Sequence, residues 1–440
     1  MLGTMQILVL KNYLYRIKAK LRGIPFPAAV NGALKARQLR AGLQKLATHY
    51  KKQAEKSSFR YQEQVVIDEF RRRQLNLDQH PKEPGDLRIF WVGANRDQDE
   101  SGFLQALRRI ATVIEFHNWK GSYGQWYWDS LGRVQVYDPT IIALNDRALK
   151  SQLETALKNG SVDLLMGQMW ANYISKEALA WVRGRGIPVL NISMDDRLPD
   201  NWGRAQGGVR LGAIGLASVT DLVLTTSSET CAWYGAEDCP AIFWPLASDP
   251  AVFCPSENSE RNIDVLFVGN KYGVREGIIR ELSKRGVNVE CYGAGWTNGP
   301  ATAEQSAALF KRARIILGVG TVGHCKDVFT MKLRDFDAPM SGALYLTHRC
   351  ADLIQLYQEG CEIECYATPE EAAHKIHHYL AHPIDLLRVA AAGHAKALSR
   401  DTWAGRLEET FSRLGLIDAS AHVTASSTDA LGQDKQLGAS

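Results

Sequence analysis

Asp264-Val265-Leu266-Phe267-Val268-Gly269-Asn270-Lys271-Tyr272-Gly273-Val274-Arg275 is an apolar run that stops at a glycine, crosses a short polar turn and resumes as a helical pattern. A strand that ends on glycine and feeds a helix is the repeating unit of a parallel sheet. The turn has two glycines for close backbone approach, two cations, and a helix N-terminus whose free N–H groups and dipole favour an anion such as a diphosphate. It matches neither the Walker nor the dinucleotide fingerprint, so taken alone it is equally a tight turn with solvated charges.

Working outward, the same unit recurs. Downstream, strands are expected at 287–292, 315–319, 343–346 and 362–366, with helices at 275–285, 303–312, 328–340 and 351–357. Two more helices, 386–398 and 402–414, close the series. Upstream, apolar runs at 87–92, 112–116, 162–165, 187–192, 221–225 and 241–244 alternate with amphipathic stretches at 102–110 and 149–158. A loop rich in Pro and Asp, 244–255, separates the two series. This predicts an α/β fold of two tandem, doubly wound Rossmann-like domains with a cleft between them. The expected division is a basic helical extension (1–85), an N-terminal domain (86–250), a C-terminal domain (251–415) and a disordered tail (416–440) whose Ala, Ser, Thr, Asp and Gly content is too polar to fold.

Composition is ordinary for a globular chain, with 45% hydrophobic and 23% charged residues, so a large core needs no staples. No apolar run approaches the roughly 18 residues of a membrane span. The first ten residues carry no charge ahead of their apolar stretch, the wrong order for a secretory signal, so a cytoplasmic location is expected. The eight cysteines include no Cys-x-x-Cys pair and read as reduced core residues, not zinc ligands.

The net charge of +4 is uneven: residues 1–85 hold 17 Lys and Arg against 6 Asp and Glu. Within them, residues 10–22 form a basic amphipathic pattern. It suits packing on the body or on a second subunit, or a peripheral contact with an anionic membrane on the inner face. Interleaved aromatics are too few for a nucleic-acid partner to be expected.

In a doubly wound sheet, ligands sit where strands end. After 287–292 comes Gly293-Ala294-Gly295-Trp296, whose Trp offers a stacking face or simply packs. After 315–319 comes Gly318-Val319-Gly320-Thr321-Val322-Gly323, followed by His324. It spells Gly-x-Gly-x-x-Gly, but the next strand ends in Thr347-His348 and not in the acid a dinucleotide ribose needs.

The segment Lys332-Leu333-Arg334-Asp335-Phe336-Asp337-Ala338-Pro339-Met340-Ser341-Gly342 and the strand ending in Thr347, with Glu359-Gly360, Ala391-Ala392-Gly393 and Thr402-Trp403, resembles the C-terminal domain of CgeB-type glycosyltransferases, relatives of the group 1 glycosyltransferases. The resemblance spans about residues 264–413 and implies the GT-B fold and a nucleotide-sugar donor. It implies that Asp337 takes the donor ribose hydroxyls, and that Lys332 and Arg334 lie by the phosphates. Gly269, Asn270, Lys271, Arg275, Gly293, Trp296, His324, Gly342 and Thr347 complete the expected donor site.

The chain departs from the pattern at Phe329, where retaining relatives carry a second acid, and at Asp401, where they carry His. A weaker likeness in the first domain, Gly93-Ala94-Asn95-Arg96 and Asp195-Asp196, places acceptor-side candidates there. Asp97, His117 and Asp196, with Asp195, are candidate bases for an acceptor hydroxyl. Asp97-Gln98-Asp99 spells a metal-binding Asp-x-Asp, but it follows the first strand and leads into a helix, so no metal or cofactor is expected. The expected activity is transfer of a hexosyl group to a glycan or glycolipid hydroxyl. A nucleotide-sugar 2-epimerase on the same fold, or a surface or spore-type structural protein with a decayed site, are the alternatives.

Overall fold

The computed structural model describes residues 28–57, 59–126, 137–205, 207–255 and 261–418. The amphipathic stretch at 10–22 and most of the expected tail lie outside these residues. Two parallel sheets follow one another. The first contains β1 (Leu87–Val92), β2 (Ala111–Glu115), β3 (Leu164–Gly167), β4 (Val189–Ser193), β5 (Leu222–Thr225) and β6 (Ala241–Phe243), in the order β2-β1-β3-β4-β5-β6. The second contains β7 (Ile263–Val268), β8 (Glu290–Tyr292), β9 (Ala313–Leu317), β10 (Leu344–His348) and β11 (Glu364–Tyr366), in the order β11-β10-β9-β7-β8.

Every pairing is parallel, for example Phe90 with Leu165 and Leu266 with Ile316. Strands so covered on both faces read as continuous apolar runs, and β3 to β5 are buried throughout. Chain order reverses between β1 and β3 in one sheet and between β7 and β9 in the other, the two places where a doubly wound sheet opens a crevice.

The segment expected as one helix over 328–340 is helical only over Arg334–Met340. Residues 321–329 instead double back: Thr321 pairs with Phe329, and Val322 N–H donates to the Val328 carbonyl at 2.9 Å. Phe329 and Thr330 are thereby held extended, and the helix starts only at Arg334.

The domains are tied together at both ends. The last helix, Trp403–Arg413, returns to the first domain, where the Trp403 ring stands edge-on to Phe103 at 5.2 Å and lies beside Trp244 at 5.6 Å. Leu416 and Ile417, expected to begin a disordered tail, are buried; Lys82 N–H donates to the Leu416 carbonyl and Asp418 N–H to that of Lys82. The extension forms two helices, Ala28–Ser57 and Glu63–Asn76. None of the described helices is long and apolar enough to cross a membrane.

Candidate functional site

The carboxyl ends of the two sheets share a crevice of about 150 Å³. Asp195, Arg197 and Leu198, just beyond β4, form one wall, and Tyr272, Val322, Gly323, Thr330 and Lys332 of the second domain form the other. Asp195 and Lys332 face each other across it, 4.0 Å apart and both partly open to solvent.

Behind this crevice lies the turn quoted at the outset. Gly269 has φ of +156°, a conformation that side chains rarely adopt. A Cβ there would stand 2.5 Å from Arg334 Nη2 and 3.3 Å from Arg275 Nη1, so both guanidinium groups meet at this glycine. Both also lie over the Phe267 ring, at 4.8 Å for Arg334 and 5.6 Å for Arg275. Arg275 is only 5% exposed, yet neither arginine has a carboxylate at ion-pair distance among the described residues.

Arg275 donates to the Asn270 carbonyl at 2.7 Å and Arg334 donates to the Val268 carbonyl. Arg334 Nε and Nη1 are buried with no hydrogen-bond partner among the described residues. Burial, and then the neighbouring Arg334 charge, hold Arg275 down at about 10. Two like charges sharing a partly desolvated site, with donors unspent, cost free energy unless an anion completes them. A diphosphate would accept from both forks.

The neighbouring loops buttress the turn. Lys271 N–H donates to the Ala294 carbonyl at 2.8 Å, Asn270 Oδ1 accepts from Ala294 N–H at 3.0 Å, and Trp296 Nε1 donates to the Gly269 carbonyl at 2.8 Å. Gly293, at φ +134°, presses on the Gly269 backbone. Lys271 reaches Glu276 at 2.9 Å and lies 5.3 Å above the Trp296 ring, so that face is covered by a cation. Thr347, 1% exposed, is the next-to-last residue of β10, lies beside Gly318 and accepts from Tyr345 Oη at 3.2 Å. Beyond it, burial pushes His348 down to about 4, so it is a neutral ring, stacked on Phe329 at 5.1 Å and tilted against Tyr366 at 4.2 Å.

Other expected residues are placed elsewhere. Gly342 precedes β10, at the amino end of the strand, and packs on Pro255 and Arg261. His324 turns outward onto Gly32 of the extension. Asp337 is 8% exposed and accepts from Ser248 Oγ of the linker at 2.8 Å, while the Arg334 charge acts on it without an ion pair. Burial pushes it up to about 8, so at neutral pH it is largely a carboxylic acid.

Asp196 is a core residue: Ser193 donates at 2.6 Å, Thr225 at 2.6 Å and Tyr234 at 2.8 Å, which leaves it no role as an exposed base. Asp196→Ala is expected to cost about 3 kcal/mol in urea unfolding, since it strands three buried hydroxyls. An unchanged midpoint would show that they find other partners.

Asp97 is exposed beyond β1, whereas Asp99 points inward, taking Tyr123 Oη at 2.7 Å and Gln168 Nε2 at 3.1 Å, so the Asp-x-Asp carboxylates diverge. Burial raises Asp99 to about 7. His117 is half-buried beyond β2, its ring edge-on to Tyr123 at 6.3 Å. Of the acids weighed, Asp195 alone lines the crevice. Arg197, Tyr272 and Thr330 join it there; the strand-end rule points to the first two, but Thr330 comes close only because 321–329 doubles back.

Two parallel Rossmann-like domains, a crevice between their carboxyl edges and a C-terminal helix that returns to the first domain constitute the GT-B fold. The profile of a family described as glycosyl transferase-like matches residues 275–412. Similar solved structures include Anabaena Alr3699/HepE in complex with UDP-glucose (13% identity, 74% of this chain and 100% of that one, TM-score 0.51). Sucrose-phosphate synthase of Thermosynechococcus elongatus (10% identity, 78% and 100%, TM-score 0.50) and a glycosyltransferase of Rickettsia africae (10%, 75% and 98%, TM-score 0.50) are similar too. No curated protein matches the chain.

Proposed function

We propose that the protein is a glycosyltransferase that moves a hexosyl group from a nucleotide-sugar donor to a hydroxyl of a glycan or glycolipid, on the cytoplasmic side of the membrane. The observation that carries this reading is the pair of arginines, Arg275 and Arg334, that meet at Gly269 with two Arg334 donors buried and unbonded and no carboxylate at ion-pair distance among the described residues. Such a pair fits a diphosphate, and the match of 275–412 to a glycosyl transferase-like family points the same way.

In this reading the loop 269–275 and Arg334 hold the diphosphate. As the bond to the anomeric carbon breaks, its electron pair passes to the phosphate oxygen, and the developing charge is met by Arg275, Arg334 and Lys332 in place of a metal. The sugar lies in the crevice near Lys332 and Thr330. The acceptor hydroxyl approaches from Asp195 and Arg197, its oxygen bonding to the anomeric carbon as its proton passes to Asp195, with Asp97 and His117 further along the same edge.

A panel of UDP, GDP and dTDP sugars at millimolar concentration tests this. The matching donor is expected to raise the melting temperature by several degrees, as ligands that bind only the folded state do. Mass spectrometry with donor alone separates a transferase from an epimerase, which would convert the donor unaided. If no nucleotide in the panel shifts the melting curve, the reading is wrong and a structural protein with a decayed site replaces it.

A further inference from the structure

The extension contributes a contact that the donor site needs. The helix Ala28–Ser57 spans both domains, and its two halves are fastened differently. The second half is anchored on the first domain. Tyr50, 2% exposed, lies stacked on Trp233 at 5.5 Å and edge-on to Trp202 at 5.2 Å. Its hydroxyl donates to Glu237 at 3.0 Å and accepts from Arg210 at 3.0 Å, while Gln53 donates to the Ala236 carbonyl.

The first half meets the second domain through lighter contacts. Ala36, 4% exposed, packs with Val322, Cys325 and Val328, and its carbonyl accepts from Cys325 Sγ at 3.3 Å. Arg40 pairs with Asp327 at 3.3 Å, and Gly32 lies against His324. All of these partners belong to the doubled-back loop 321–329, whose inner side, at Val322 and Gly323, lines the crevice.

That loop in turn supports the phosphate turn. Gly323 carbonyl accepts from Val274 N–H at 3.2 Å, and Gly273, at φ +65°, sits so close that any Cβ would overlap the Gly323 carbonyl. Contacts therefore run without a gap from Tyr50 on the first domain, along the helix, through 321–329, to the turn that places Arg275.

We propose that helix Ala28–Ser57 is a positioning element of the nucleotide site: Ala36 and Arg40 hold the loop 321–329 from outside, and through it the loop 269–275, so nucleotide affinity depends on residues that touch no nucleotide. This rests on the reading of that site as a nucleoside-diphosphate site. The aromatic anchor fixes the helix to the first domain, so its smaller contacts with the second domain are held in place from there.

The test uses the full chain and calorimetric titration with UDP, GDP and dTDP, following whichever binds the wild type best. Ala36→Trp overfills the contact with 322–328 and is expected to weaken that nucleotide at least about tenfold, with the Tyr50 anchor intact. Asp327→Arg sets two cations together and is expected to weaken it about threefold to tenfold, and the swap Arg40→Asp/Asp327→Arg to restore it. A helix that only packs would lower the melting temperature in these variants and leave the affinity of the folded protein unchanged, which overturns the proposal even if Ala36→Trp fails to fold, because the charge swap still reports. If no diphosphate binds the wild type, the site reading fails and this proposal with it.

Discussion

Arg334→Leu is expected to weaken binding of the cognate nucleoside diphosphate about 100-fold, close to 3 kcal/mol, while leaving the nucleotide-free protein as stable as before or more so. The two effects have one cause. In the free protein Arg334 and Arg275 share a partly desolvated site at Gly269 with no carboxylate at ion-pair distance among the described residues, and Arg334 helps to hold Arg275 down at about 10. Removing one charge relieves that repulsion at the cost of one hydrogen bond to the Val268 carbonyl. In the complex the same charge is a fork on the diphosphate, and its loss is felt in full. Arg334→Lys, which keeps the charge without the fork, is expected to fall between the two. Calorimetry and a melting curve suffice. An affinity within threefold of wild type would remove the arginine pair from the donor site.

The second large effect concerns pH. Burial raises Asp337 from its ordinary value of 3.8 to about 8. Between those values the folded chain keeps a proton that the unfolded chain has released, so this group's stabilisation is complete below about pH 4. It is lost progressively as pH rises towards and through about 8. The expected loss is of the order of a few kcal/mol. Asp337→Asn is neutral throughout and is expected to flatten this part of the profile and to be the more stable form at pH 9. Equal slopes for the two proteins in urea unfolding between pH 5 and pH 9 would contradict it.

The same pair of proteins examines the ribose role that the sequence resemblance implies. If the ionised carboxyl accepts from the ribose, affinity in the wild type rises as pH passes about 8 and the Asn variant stays flat. If both are flat, Asp337 serves the linker through Ser248.

Most of the turn at which the two arginines meet was legible because it is local. Gly269, Lys271 and Arg275 fall in a single stretch, whereas Arg334 begins a helix 17 residues after β9 ends, beyond the doubled-back loop. Two other side chains singled out from the sequence lie away from the crevice. Asp196 follows a strand, as a base at the cleft would, but three hydroxyls from Ser193, Thr225 and Tyr234 take it into the core. His324 follows a glycine loop, but that loop turns back on itself and carries the ring to the extension. No local pattern marks either outcome.

The sequence by itself determined the two parallel sheets and the order of their elements, because a buried strand needs an apolar run and a strand-to-helix turn needs glycine. It also determined that a cationic turn caps the strand 263–268. Only the tertiary structure decided which way the decisive side chains face. Ser248 reaches Asp337 across 89 residues, Tyr50 reaches Glu237 across 187, and Cys325 reaches Ala36 across 289. Contacts of that range are set by how the two sheets and the extension pack, which no spacing along the chain encodes.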